Sequence, residues 1–133
     1  MDCLFCKVAK GQIPSYKVYE DENTLAFLDI FPHASGHTVV ISKQHYESLS
    51  DLPAEKWAQI SLAIKMTWDK LQKALKPDGC NIGINNGSIA GQVVKHVHWH
   101  ILPRYQDDKG GSIHSIIKNP GKLDVKQVAK LME

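Results

Sequence analysis

Histidine occupies every second position in the run His96-Val97-His98-Trp99-His100-Ile101-Leu102. On an extended strand, successive side chains point to opposite faces. The three imidazoles would therefore share one face, with Val97, Trp99 and Ile101 on the other. Imidazole serves near neutral pH as nucleophile, proton carrier or metal ligand, so three chemistries are open. The face could be merely solvated or pH-sensitive, though three charged rings on it would repel. It could hold a metal, since His-x-His is a chelating pair and three histidines with a water would resemble a catalytic zinc centre. Or one imidazole could attack phosphorus while its neighbours place charge and protons.

Two other stretches carry chemistry. Gly87-Ser88-Ile89-Ala90-Gly91-Gln92 is a polar, glycine-containing loop of the kind that lets backbone amides approach a phosphate. Cys3 and Cys6 form a Cys-x-x-Cys pair, which in a reducing compartment is more often a metal or redox site than a structural disulfide.

These residues need a scaffold. Residues 3 to 10 suit a short helical turn with Leu4, Phe5 and Val8 inward, ended by Gly11 and the extended Ile13-Pro14 step. Tyr16 to Glu20 and Thr24 to Leu28 read as a hairpin around Asp21-Glu22-Asn23, and a turn-rich connection from Asp29 to Gly36 leads to a third strand, His37 to Ser42. A long helix is expected from about Ala54 to Lys76, opened by Asp51 and Pro53 and closed by Pro77-Asp78-Gly79. Its apolar stripe, Trp57, Ile60, Ile64, Trp68, Leu71 and Leu75, would face a sheet. Cys80 to Asn86 is the fourth strand, Gly87 to Gly91 a loop and Val97 to Arg104 the fifth strand. After the polar loop Tyr105 to Gly111, Asp124 and Gln127 could cap a short terminal helix carrying Val125, Val128, Ala129 and Met132. The fold class is α+β: a five-stranded antiparallel sheet with one long helix on a face and short terminal helices.

The bulk composition narrows the function. A length of 133 residues suits a single domain, 1–133, able to bury a core without disulfides. With 43% apolar and 23% charged residues and a net charge of +2, the chain is globular and too mildly basic for nucleic acid to be its main partner. The start of the chain lacks the basic and apolar regions of a signal peptide, and no apolar run reaches membrane-spanning length. No membrane association is expected, and the cytoplasm is the expected location.

The stretch from Asn85-Asn86-Gly87 through Gly91-Gln92-Val93-Val94-Lys95-His96-Val97-His98-Trp99-His100 resembles the signature of the histidine triad superfamily: His, apolar, His, apolar, His, then two apolar residues. Ile13-Pro14, Leu25 to Ile30, Pro32, Gly36-His37 and Val39 to His45 are also similar to that family in order and spacing. The resemblance spans residues 2 to 105 and is closest to its Hint-like bacterial branch.

That resemblance implies a purine nucleotide hydrolase or transferase acting at the α-phosphate, on nucleoside phosphoramidates or adenylylated compounds. By implication His98 is the nucleophile, forming a nucleotidyl-histidine that water cleaves. His100 contacts phosphate oxygens and helps deliver a proton, and His37 supports the cluster. The resemblance makes Asp29 the ribose carboxylate, and Leu4, Phe5, Val8, Ile13, Phe27, Leu28 and Ile30 an apolar slot for the base. Asn85, Gly91, Gln92 and the Val93 backbone lie on the phosphate side. Cys3, Cys6, His45 and His96 are implied ligands of a structural zinc, with no cofactor needed for the chemistry, and relatives pair as homodimers through the long helix and fourth strand. Alternatives are a dinucleoside polyphosphate hydrolase, a nucleotide-binding scaffold with incidental catalysis, or a zinc hydrolase using the three triad histidines. Val93 stands where many eukaryotic relatives carry a serine that assists an amine leaving group, and the segment after Arg104 matches no motif.

Overall fold

The computed structural model describes residues 2–133. Helix α1, Leu4–Ala9, precedes the hairpin strands β1, Lys17–Glu20, and β2, Thr24–Leu28, then β3, Thr38–Ser42. The hairpin turn is closed by Asp21, whose Oδ1 accepts the amides of Asn23 and Thr24 at 2.8 Å each, the local bonding for which aspartate is favoured in turns. Helix α2, Ala54–Leu75, leads to β4, Gly79–Ile84, and β5, His98–Arg104, and the chain closes with α3, Val125–Leu131. The five strands form one antiparallel sheet in the order β1-β2-β3-β5-β4. The histidine strand is thus flanked on both sides.

Alternation along the central strands separates two cores. Ala26, Val40, Val97, Trp99 and Ile101 meet Ile60, Ala63, Ile64 and Leu71 of α2, while Leu25, Phe27, Val39 and Ile41 meet Cys3, Phe5 and Val8 around α1. In the β3–β5 register Ile41 faces His98 and Val39 faces His100, so these histidines lie on the α1 side of the sheet. Every second residue of β5 therefore packs on α2, and the intervening ones are left for chemistry.

The long helix sits rolled from the expected stripe. Ile60, Ile64 and Leu71 are buried, but so are Ala63 and Thr67, while Trp57 and Leu75 are 40% and 42% exposed. Small side chains at the middle of α2 let it approach the sheet, and the Thr67 hydroxyl is satisfied at the Ala63 carbonyl, 2.6 Å away. Trp57 still contributes by stacking on Trp99, with centroids 4.8 Å apart. Pro53 holds the N-cap position, and Lys76 ends α2 in the left-handed region before Pro77.

Both terminal helices leave apolar residues open to solvent. Leu4 is 50% exposed rather than inward, because α1 is so short that only Phe5 and Val8 reach the sheet. The predicted box on α3 is formed, with Asp124 and Gln127 exchanging 2.8 Å bonds, yet Val125, Val128, Ala129 and Met132 all stay exposed. Capping orders that helix without a packing partner.

Candidate active site and metal centre

The chemistry-bearing residues converge on the α1 face of β5. His98 is buried, with the Phe5 ring edge-on at 5.0 Å, and its Nδ1 lies 2.7 Å from the His96 carbonyl oxygen. A carbonyl only accepts, so His98 Nδ1 carries the proton and Nε2 of the neutral ring keeps its lone pair. Burial pulls the His98 pKa below its ordinary value, which keeps the ring neutral. The free lone pair on Nε2 is thus fixed by a backbone contact two residues away.

His100 stands beside it, ring centroids 5.1 Å apart, and its Nδ1 lies 2.9 Å from His37 Nε2. Burial, with the nearby His98 and His37 rings, lowers His100 to about 4, and burial lowers His37 as well. Asp29 completes this cluster: its Oδ2 is 3.7 Å from His37 Nε2, while its Oδ1 accepts the Phe31 amide at 2.9 Å. The next backbone bond, Asp29 amide to His37 carbonyl at 2.9 Å, closes the neck of the connecting loop.

The expected base-slot residues divide. Phe5, Val8 and Phe27 are buried in the α1 core and Ile13 packs against it, whereas Leu4 and Ile30 are 50% and 70% exposed. Leu28 lies at the partly buried end of β2. On the phosphate side, Gly87 and Gly91 flank a single turn, Ser88–Ala90, both with positive φ. Gln92 is fully engaged in shaping this loop. Its Oε1 accepts the Gly87 amide at 2.9 Å, its Nε2 reaches the carbonyls of Glu47 and Val94, and its own amide bonds to Gly87. Asn85 and Val93 remain exposed beside the loop.

A second centre lies at the start of the same strand. Cys3, Cys6, His45 and His96 bring one ligand atom each within 4.8 Å of one another. The sulfur–nitrogen separations are 3.4 Å for Cys3–His96, 3.3 Å for Cys6–His45 and 3.6 Å for Cys6–His96. Tetrahedral zinc with ordinary Zn–S and Zn–N bonds requires roughly 3.5 Å between such atoms. His96 is fully buried, and its Nε2 donates to the Ser42 carbonyl at 2.7 Å, which leaves Nδ1 as a lone pair aimed at the sulfurs. Burial and the adjacent Cys3 raise the Cys6 thiol, so thiolates here call for a cation. The donor set, spacing and outer hydrogen bond fit a structural zinc. Cys80, on β4, lies apart and half-buried, its thiol raised by burial.

Some contributors carry no sequence signal. The Ser42 carbonyl and the His33 amide, which donates to His37 Nδ1 at 3.1 Å, are main-chain groups whose aim is set by the fold. The histidine at position 33 did not mark its own amide.

The five-stranded antiparallel sheet, with histidines alternating on one face of its β5 strand, is matched by proteins of one family. Residues 10–107 match the HIT domain family, and the chain belongs to that family. It is 45% identical over 128 residues to an uncharacterized HIT-like protein of Methanocaldococcus jannaschii, covering 96% of both chains. It is 44% identical over 110 residues to the adenosine 5'-monophosphoramidase of Schizosaccharomyces pombe, covering 83% of this chain and 80% of that one. The crystal structure of a zinc-bound histidine triad family protein from Mycobacterium smegmatis superimposes with a TM-score of 0.78 at 39% identity, covering 91% of this chain and 85% of that one. Among the described residues no helix is long and apolar enough to cross a membrane.

Proposed function

We propose that this protein hydrolyses purine nucleoside phosphoramidates or related adenylylated compounds at the α-phosphate, through a covalent intermediate on His98. The observation that carries this reading is the 2.7 Å contact from His98 Nδ1 to the His96 carbonyl, which leaves Nε2 as a neutral nucleophile in a buried position. A neutral nitrogen approaches an anionic phosphate without adding negative charge. Its lone pair forms the N–P bond while the P–N bond to the leaving amine breaks, the electron pair going to the amine, which takes up a proton. The positive charge that develops on His98 is stabilised through Nδ1–H by the same carbonyl. Water then attacks phosphorus and gives up a proton, which balances the one taken by the amine, the N–P bond returns its pair to His98, and the nucleoside monophosphate leaves.

In this reading His100 contacts phosphate oxygens and helps with the proton, Asp29 accepts the ribose hydroxyls, and Leu4 and Ile30 contact the base. The phosphoramidase name of the yeast relative supports the substrate class. A three-histidine catalytic zinc is disfavoured, because both His96 nitrogens are engaged away from the other two rings. We assign Cys3, Cys6, His45 and His96 to a structural zinc, which when bound would tie α1 to β5 and take no part in the reaction. The exposed apolar residues of α2 and the free edge of β4 support a homodimer.

The test is release of a fluorescent amine from an adenosine phosphoramidate. Wild-type turnover should fall about 10⁴-fold or more in His98→Ala, as removal of a covalent nucleophile does elsewhere. Turnover at the wild-type rate in that variant would refute the covalent mechanism. Faster cleavage of dinucleoside polyphosphates would move the substrate class, and tight nucleotide binding without turnover of any substrate would point to a scaffold.

A further inference from the structure

We infer that the peptide N–H of His33 is a positioning group for the reaction: it sets the direction of the His37–His100 hydrogen bond, so that His100 turns its only N–H, on Nε2, toward the substrate. This deepens the reading of His100 as phosphate partner and rests on it.

The argument runs on donors and acceptors. The His33 amide can only donate, and it points at His37 Nδ1 from 3.1 Å. Nδ1 must therefore hold a lone pair, and the single proton of the neutral His37 ring sits on Nε2. That nitrogen is 2.9 Å from His100 Nδ1. The bond runs from His37 to His100, Nδ1 of His100 is the acceptor, and the His100 proton is on Nε2. Reversing the direction would leave His37 accepting at both nitrogens, a ring with no proton at all. Making His37 an imidazolium would set Nδ1–H against the His33 amide, donor against donor. The Asp29 carboxylate, 3.7 Å from His37 Nε2, lies where a donor is favoured.

The loop is built to hold that amide still. Asp29 Oδ1 accepts the Phe31 amide at 2.9 Å, the His37 amide reaches the Ala34 carbonyl at 3.0 Å, and the Thr38 hydroxyl caps the Gly36 carbonyl at 2.8 Å. The His33 ring meets His37 edge-on at 5.5 Å, but it is the main chain that makes the bond. Asp29, His37 and His100 also bring three ligand atoms together, as a metal site would. The same polarity excludes one there, since His37 Nε2 carries a proton where a metal needs a lone pair.

The two neighbouring active-site rings thereby take opposite tautomers. His98 holds its proton on Nδ1 and offers a bare Nε2 to phosphorus; His100 holds its proton on Nε2 and offers a donor to oxygen. Backbone groups impose both choices, the His96 carbonyl directly and the His33 amide through His37.

Histidine ¹⁵N–¹H spectra of the labelled, ligand-free protein at neutral pH test this without any substrate. We expect Nε2–H tautomers at His37 and His100 and the Nδ1–H tautomer at His98. An Nδ1–H tautomer or an imidazolium at His100 overturns the proposal. His33→Ala keeps the amide and should keep the His100 spectrum; His33→Pro removes it and should give His100 a mixture of tautomers with kcat lowered 10-fold or more at similar KM. Because proline can disturb the loop, a second pair is decisive. His37→Gln places an amide donor near the former Nε2 and should exceed His37→Ala in kcat by about tenfold, whereas equal kcat in the two overturns the proposal. Wild-type protein that shows the expected tautomers but cleaves no nucleotide would refute the functional reading alone.

Discussion

The carbonyl oxygen of His96 lies 2.7 Å from Nδ1 of His98, so a residue whose side chain faces two cysteines also fixes, through its backbone, the reactive nitrogen of its neighbour. Side chain and main chain of one residue thus belong to two centres.

Acid should silence the enzyme late. Burial holds His98 and His37 below the ordinary imidazole value of 6.5, and His100 falls to about 4. The neutral form therefore persists to lower pH than in a free imidazole, and the acid limb of kcat/KM should be centred below 6.5. Stability follows the same sign. Between about 4 and 6.5 the unfolded chain binds a proton at position 100 that the folded chain refuses, so the melting temperature should fall as pH drops through that window. An activity midpoint at or above 6.5, or a flat melting profile, would contradict this.

Metal should matter to the fold before it matters to the chemistry. Chelation is expected to lower the melting temperature by on the order of 10 °C, and Cys3→Ser with Cys6→Ser should reduce bound zinc measured by elemental analysis. At 25 °C the fraction that stays folded should still turn over substrate. Immediate loss of turnover in folded, chelated protein would make the metal catalytic.

Gly36 is a position where a methyl group has no room. Its φ is +86°, and an added Cβ would collide with Leu75 Cδ1 and come within 3.3 Å of Pro103 Cγ. Gly36→Ala should cost about 1–3 kcal/mol in chemical denaturation, from the left-handed backbone and the crowding against α2 together. A variant of wild-type stability would show that Leu75, 42% exposed, yields freely.

On the other side of the molecule, Leu62 and Met66 of α2 are 60% and 43% exposed, and β4 is bonded only to β5. An unpaired strand edge and exposed apolar helix residues are each ready surfaces for a second copy. Sedimentation should give twice the chain mass for the wild type and a single chain for Leu62→Glu with Met66→Glu. A monomeric wild type would end the dimer reading.

Legibility in the sequence followed how local each determinant was. The alternation through His96 to Ile101 told which residues of β5 pack and which face the site, because a strand has only two sides. The Asp124–Gln127 box was readable for the same reason, its bonds spanning three residues. The roll of α2 was not, since Trp57 and Thr67 exchange places according to how closely a helix can approach the sheet. Nor was the exposure of Leu4, which depends on how little of α1 reaches the sheet. Within the site, His98 and His100 were visible by type and spacing, whereas His37 entered only through the family resemblance. The groups that orient them, the carbonyls of Ser42 and His96 and the amide of His33, are common to every residue and become distinctive only in three dimensions.

Cys3 and His96 are 93 positions apart along the chain, yet their ligand atoms are 3.4 Å apart. A metal clip between them closes a loop that takes in most of the polypeptide. In the denatured ensemble, a permanent link across a loop of that size would remove chain entropy worth about 4–5 kcal/mol. The N-terminal turn would then act as a clasp that draws the end of β3 and the start of β5 into one cooperative unit.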